Sequence, residues 1–281
     1  MAEICEQGVL HTRDGLNLFF RRDIPRRPRG IAILLHALAE HSGRLDAVAQ
    51  ALNVSGYGVY RFDCRGHGRS DGPRGDVHSF HDYILDAEMV VEHARRAFPG
   101  KPLFLIGLGL GGLVAASYAA EHPDILSGEV TVGAPMRLFP ALSFLNATER
   151  HRHRERGDER FSLMLPLWKE PQHGTWNADG LLLDSVTVRL AGNVWLHGAD
   201  WFASQMKNVV TPLFILHGED DTLVPRETAL WFYEGVSSPD RRLRTYPHLS
   251  DLRKEQSEAL SDIVSWLDAH STEPLFSSKV R

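Results

Sequence analysis

Cysteine is scarce in this chain, with 2 in 281 residues, Cys5 and Cys64. Two thiols so far apart make no disulfide framework, which excludes the small cross-linked secreted scaffolds and fits a reducing compartment. Long apolar runs are missing as well: none approaches the ~18 residues of a membrane span. The opening residues carry Glu3, Glu6, Arg13 and Asp14 and no apolar stretch, so no secretory signal is expected and the chain is read as cytoplasmic. Neither sign of charge dominates. The formal net charge of −5 gives no electrostatic ground for a nucleic-acid partner. No internal repeat and no low-complexity tract interrupts the chain. What is left is an ordinary globular composition, long enough for one large core with an insertion.

What is present is a rhythm of short apolar runs and amphipathic stretches. Leu16 to Arg22 alternates loosely after the Asp14-Gly15 turn and is expected to form an early strand. Ile31–Leu35 is unbroken and apolar, as in a strand buried on both faces. A helix is expected over 44–55, ending near Gly56, and a strand over Gly58–Phe62. Residues 79–98 place Tyr83, Ala87, Val90, Val91 and Ala94 on one helical stripe, with Pro99-Gly100 as the stop. Then come the strand Leu103–Ile106, an Ala-rich helix to about His122, and the strand Glu129–Gly133. This alternation predicts an α/β fold with a mostly parallel sheet flanked by helices.

From Ala134 to about Asn208 the rhythm breaks. A charge-dense run over 149–160, read as a solvated face, leads into sequence rich in Pro, Trp and His. The rhythm resumes with the strand Leu213–Leu216, a helix over 226–235 and the strand Arg241–Tyr246. A closing amphipathic helix aligns Leu252, Leu260, Ile263, Val264 and Leu267. The expected organisation is a core of 1–133 and 209–281 with an insertion at 134–208.

Four motifs stand just past strand ends, where open α/β sheets place their ligand crevice. They are His36-Ala-Leu-Ala-Glu-His-Ser-Gly-Arg44, Asp63-Cys-Arg-Gly-His-Gly-Arg-Ser70, the glycine knot at 107, 109, 111 and 112, and His217-Gly-Glu-Asp-Asp221. Their order resembles the monoacylglycerol lipase/lysophospholipase-like, serine aminopeptidase-type branch of the α/β-hydrolase superfamily, over nearly the whole chain. That family writes His-Gly-x-x-Glu-His-Ser-x-Arg where this chain has 36–44 with Ala37 in place of the glycine. Its Asp-x-x-Gly-His-Gly-x-Ser is matched in full by 63–70, and its Gly-x-x-Asp by Gly218–Asp221.

The resemblance implies an α/β-hydrolase fold with a helical cap at 134–208. It puts the oxyanion hole at the backbone N–H groups of Leu38 and Leu110 and the triad acid at Asp221. The nucleophile serine maps to Gly109, which has no side chain, and no Ser, Thr or Cys occupies 108 to 113. Glycine accepts the positive φ an elbow demands, so the turn can persist without the serine. The family's catalytic histidine lies five residues before a Glu, and counting back from Glu255 lands on Ser250. Two readings stay open: the loop has lost its histidine, or His248 swings in to meet Asp221.

A pocket with two donors and a carboxylate, but no attacking oxygen, suits cofactor-free acid–base chemistry on a small apolar carbonyl compound, of lyase, cyclase or isomerase type. The alternatives are weak or water-mediated ester hydrolysis and non-catalytic ligand binding. Asp221 would be the base, and His36, His41, Trp168 and Trp195 would line the pocket for a small apolar or acyl-type ligand. No metal or other cofactor is expected. Gly107-Leu-Gly-Leu-Gly-Gly112 also fits the dinucleotide fingerprint, but the required acid ~20 residues on is misplaced, since Glu129 opens its strand instead of closing it.

Overall fold

The computed structural model describes residues 3–137, 158–162, 179–221, 223–247 and 258–271. One sheet of eight strands organises them: β1 (Ile4–His11), β2 (Asn17–Ile24), β3 (Ile31–Leu35), β4 (Gly58–Phe62), β5 (Leu103–Leu108), β6 (Gly128–Val132), β9 (Leu213–Gly218) and β10 (Arg241–Tyr246). Their spatial order is β1-β2-β4-β3-β5-β6-β9-β10. The pairs β1/β2 and β2/β4 are antiparallel, and every pair from β4 to β10 is parallel. This is the mostly parallel sheet flanked by helices that the alternation predicts.

The unbroken apolar runs follow from burial on both faces. Leu105, Leu213 and Ile215 point toward α2 (His81–Ala97) and α3 (Leu110–Glu121), meeting Val90, Val91, Leu113 and Val114. Phe104, Ile106, Val130 and Phe214 point the other way, onto Val48 and Leu52 of α1 (Asp46–Val54) and onto Ile263 and Trp266 of the helix Glu258–Ala269. One residue breaks the apolar rule. Glu129 of β6 sits in register between Leu105 and Leu213, fully buried, and neither carboxylate oxygen has a partner among the described residues. Burial pushes its carboxyl up to about 8.

The sequence reading leaves 4–11 without an assignment, and the structure makes it the edge strand β1. Its residues are mostly exposed and its polar and apolar positions mix, so periodicity gives no signal there. Pairing with β2 decides it, and Gly8 is needed because a Cβ there would lie 2.7 Å from the Phe20 ring.

The strands β7 (Arg160–Ser162) and β8 (Ser185–Thr187) form a separate antiparallel pair. After them, Val188–Gly192, a π-helical turn Asn193–Gly198 and Ala199–Gln205 run on as helix. This arm is tied to the loop after β4 through Asp76. The Asp76 carboxylate accepts from Thr187 Oγ1 (2.6 Å), Arg189 Nε (3.0 Å) and the Val77 N–H (2.9 Å). Burial works to raise its pKa, but Arg189 and Thr187 hold it below the ordinary carboxylate range. Asp76→Ala is expected to cost about 3 kcal/mol of unfolding free energy in urea at pH 7, because it leaves the buried Thr187 hydroxyl and the Val77 N–H without their acceptor and Arg189 with only the exposed Asp158. A depressed carboxyl stabilises above its ordinary pKa and loses that contribution as pH falls. The difference between wild type and variant should therefore shrink in acid, and a constant difference would speak against the ion pair.

Candidate active site

Chain routing creates the crevice. From β3 the chain goes to β4 on one side and, after α2, to β5 on the other, so the direction of winding reverses between β3 and β5. Loops that leave neighbouring strands in opposite directions open a gap at the C-terminal edge. The four motifs lie at or just past the C-terminal ends of β3, β4, β5 and β9, with Gly107 still in β5 and His217 and Gly218 still in β9.

Between β5 and α3 the chain turns on Gly109, with φ 52° and ψ −118°, the left-handed side of the map that glycine tolerates. The Gly109 N–H donates to the Val132 carbonyl at 2.9 Å, and its own carbonyl accepts from Gly112 and Leu113. The neighbouring Gly111 lets α3 approach β3 closely, since a Cβ there would lie 2.5 Å from the Leu35 carbonyl oxygen. These glycines serve the turn and the close packing of α3 on β3. Leu110 opens α3, so its N–H has no intrahelical acceptor, and the positive end of the helix dipole lies there.

The loop after β3 is held rigidly. His36 is fully buried; its Nδ1–H donates to the Ala37 carbonyl (2.7 Å) and its Nε2 accepts from the Cys64 N–H (3.0 Å). Burial lowers its pKa, so the ring is neutral and its tautomer fixed. The pocket role expected of His36 does not fit this environment: both nitrogens are spent on backbone. His67 lies 5.3 Å away ring to ring and is pushed down to about 3, by burial first and His36 second. Ala39 has φ 66°, the single left-handed non-glycine among the described residues. Its carbonyl accepts from the Leu183 N–H at 3.0 Å, which clamps the loop to the arm beyond β7. Between these fixed points the Leu38 N–H meets no acceptor among the described residues.

Asp63 braces the same loop from below. Its Oδ1 accepts from the Ser42 N–H and its Oδ2 from the Arg69 N–H, both at 2.7 Å, while Ser70 Oγ accepts from the Phe19 N–H. The whole 63–70 motif thus works as a scaffold. His41, expected in the pocket, is buried, accepts from the Gly43 N–H through Nδ1 and puts Nε2 3.1 Å from Asp179 Oδ2. Trp195 is buried on the π-helical turn and belongs to the apolar cluster that contains Leu38, Leu110 and Met136.

Past β9, Asp221 is partly exposed; its Oδ1 accepts from the N–H groups of Leu223 and Val224, both at 2.9 Å. Its Oδ2 has no partner among the described residues. His217 closes this loop through Nε2–H to the Val224 carbonyl at 2.8 Å. A carboxylate fixed by one oxygen and open at the other can orient an imidazole or receive a proton. His248 and Trp168 lie outside the described residues, as do Ser250 and Glu255. Sequence reasoning missed Ala39 and Leu183; a left-handed alanine has no signature in composition. Among the described residues no group of three or more His, Cys, Asp or Glu could hold a metal ion, and no helix is long and apolar enough to cross a membrane.

Comparison with known proteins agrees with this geometry. The chain is 27% identical over 256 residues to a monoacylglycerol lipase of Mycolicibacterium smegmatis, covering 86% of this chain and 89% of that protein. It is 26% identical over 246 residues to the monoglyceride lipase of Homo sapiens, covering 83% and 79%. Among solved structures, the Paleococcus ferrophilus monoacylglycerol lipase superposes with a TM-score of 0.74 at 25% identity, covering 95% of this chain and 99% of that one. A soluble variant of the Saccharomyces cerevisiae monoglyceride lipase, in complex with a substrate analog, gives a TM-score of 0.80 at 22% identity, over 97% of each chain, a likeness of fold. The model of the serine aminopeptidase S33 family matches residues 26–250, and the chain belongs to that family of α/β-hydrolases, in its lipase-like branch.

Proposed function

We propose that this protein binds an acyl ester of monoacylglycerol type beneath a cap built from 134–208, and hydrolyses it slowly by direct attack of water. The observation that carries this reading is the pair of unengaged backbone donors, Leu38 and Leu110, on either side of a turn whose residue, Gly109, has no side chain. The donors can hold the oxygen of a tetrahedral intermediate. No acyl-enzyme can form at position 109, so the attacking oxygen must come from solvent. Asp221 is the base, through Oδ2, either directly or through His248. An oxyanion hole and binding alone retain about 10³–10⁴-fold of catalysis over water, which sets the scale expected.

The relatives reverse the order of readings drawn from the sequence. Non-hydrolytic chemistry finds no support in them, whereas the lipases among them favour an ester. The acid–base reading keeps one specific observation in its favour, the Asp221 Oδ2 without a partner among the described residues; lyase and cyclase substrates turned over by wild type and not by Asp221→Asn would select it.

The test is turnover of a short-chain monoacylglycerol with stopped-flow sampling. Water-mediated hydrolysis predicts a steady rate from time zero, with no burst of released glycerol and no enzyme-bound acyl group in the mass spectrum. A burst or an acyl adduct would overturn it. Binding of the ester, read by tryptophan fluorescence, without turnover would leave the protein as a non-catalytic acyl binder.

A further inference from the structure

We propose that Ala37 and Gly109 are a coupled pair, and that the methyl of Ala37 occupies room a side chain at 109 would need. A Cβ placed on Gly109 would lie 3.1 Å from Ala37 Cβ and 3.6 Å from Ala37 Cα. A contact near 3.1 Å between two methyl carbons is well inside their optimal separation, so one of them has to move. Position 109 cannot yield easily: its N–H is held by the Val132 carbonyl and its carbonyl by Gly112 and Leu113. Position 37 is held as firmly. The Ala37 carbonyl accepts from both His36 Nδ1–H (2.7 Å) and the Glu40 N–H (3.1 Å). His36 is anchored in turn by the Cys64 N–H, and the Ala39 carbonyl by Leu183.

The motif the chain resembles has glycine at the position of Ala37 and serine at that of Gly109. Here the bulk has crossed from one side of the contact to the other. Serine chemistry is therefore barred twice, by the absent side chain and by the filled space opposite it, and a return to serine needs both positions to change together. Ala37 acts as a positioning residue, shaping the floor between the two donors. The inference goes beyond the proposed hydrolysis and stands whether or not wild type turns over an ester.

A double-mutant cycle read by thermal midpoint tests it, with Ala37→Gly, Gly109→Ala, Gly109→Ser and the two double variants. One kilocalorie per mole corresponds to about 2 °C in a chain of 281 residues. Gly109→Ala and Gly109→Ser alone are each expected to lower the midpoint by roughly 4–8 °C, from the contact and from the positive φ together. Adding Ala37→Gly should recover roughly half of that loss, although Ala37→Gly alone lowers the midpoint. Strict additivity in both cycles would overturn the proposal. So would a Gly109→Ala variant as stable as wild type, which would move the conflict from the Cβ to the hydroxyl. Should Gly109→Ser not fold, the alanine cycle carries the test.

Discussion

Glu129→Gln is expected to flatten the fall of stability with pH that the wild type shows between about pH 5 and 8. The wild-type carboxyl lies fully buried on β6, without a partner among the described residues, and is raised from an ordinary 4.5 to about 8. A raised carboxyl means the folded chain holds a proton that the unfolded chain releases. Stability from this group is complete below the unfolded pKa and is lost as pH rises through the folded one. Each pH unit in that window costs about 1.4 kcal/mol, and the window spans three to four units, so the full loss is about 5 kcal/mol. Glutamine keeps the shape and cannot ionise. Urea unfolding at pH 5, 7 and 9 should show wild type and variant alike in acid and the variant ahead by several kcal/mol at pH 9. Parallel profiles would mean that Glu129 has a partner or a route to water.

Leu110→Pro should lower the proposed ester turnover by about 10²–10³-fold, the usual cost of one lost oxyanion donor. Proline is admissible at this position for a local reason. Leu110 is the first residue of α3, the helical position where the N–H has no use within the helix and where proline is commonly accommodated. The residue before it is Gly109, which has no Cβ to clash with the proline ring. The variant therefore removes the donor while leaving the turn in place. Unchanged turnover beside an intact fold would remove Leu110 from the chemistry. Loss of substrate binding with the rate constant preserved would recast the donor as a binding group.

Much of this arrangement was legible in the sequence, for identifiable reasons. Runs such as Ile31–Leu35 and Gly58–Phe62 announce strands because both faces are covered, and the structure gives them the same bounds. The helix expected over 79–98 is observed as His81–Ala97, and 226–235 as Arg226–Gly235. β1 escaped because an exposed edge strand need not alternate. At the site, residue types named the positions but not their duties. His36 looks like a ligand contact in sequence and is a brace in space; its assignment depends on where the Ala37 carbonyl and the Cys64 N–H arrive. Ala39 carries a left-handed φ of 66° that only its clamp by Leu183 explains, and such a clamp joins residues far apart in the chain. In sequence Glu129 reads only as a misplaced ribose acid, while its isolation on a central strand is a fact of packing.

The reversal of winding between β3 and β5 has a consequence for how such a protein can change. The hollow at the sheet edge is made by where the backbone must go, before any side chain is chosen. A side chain on its floor can therefore differ while the backbone around it keeps its course, as long as the neighbours that touch it change to match. In this architecture, reactivity is a tenant of the topology.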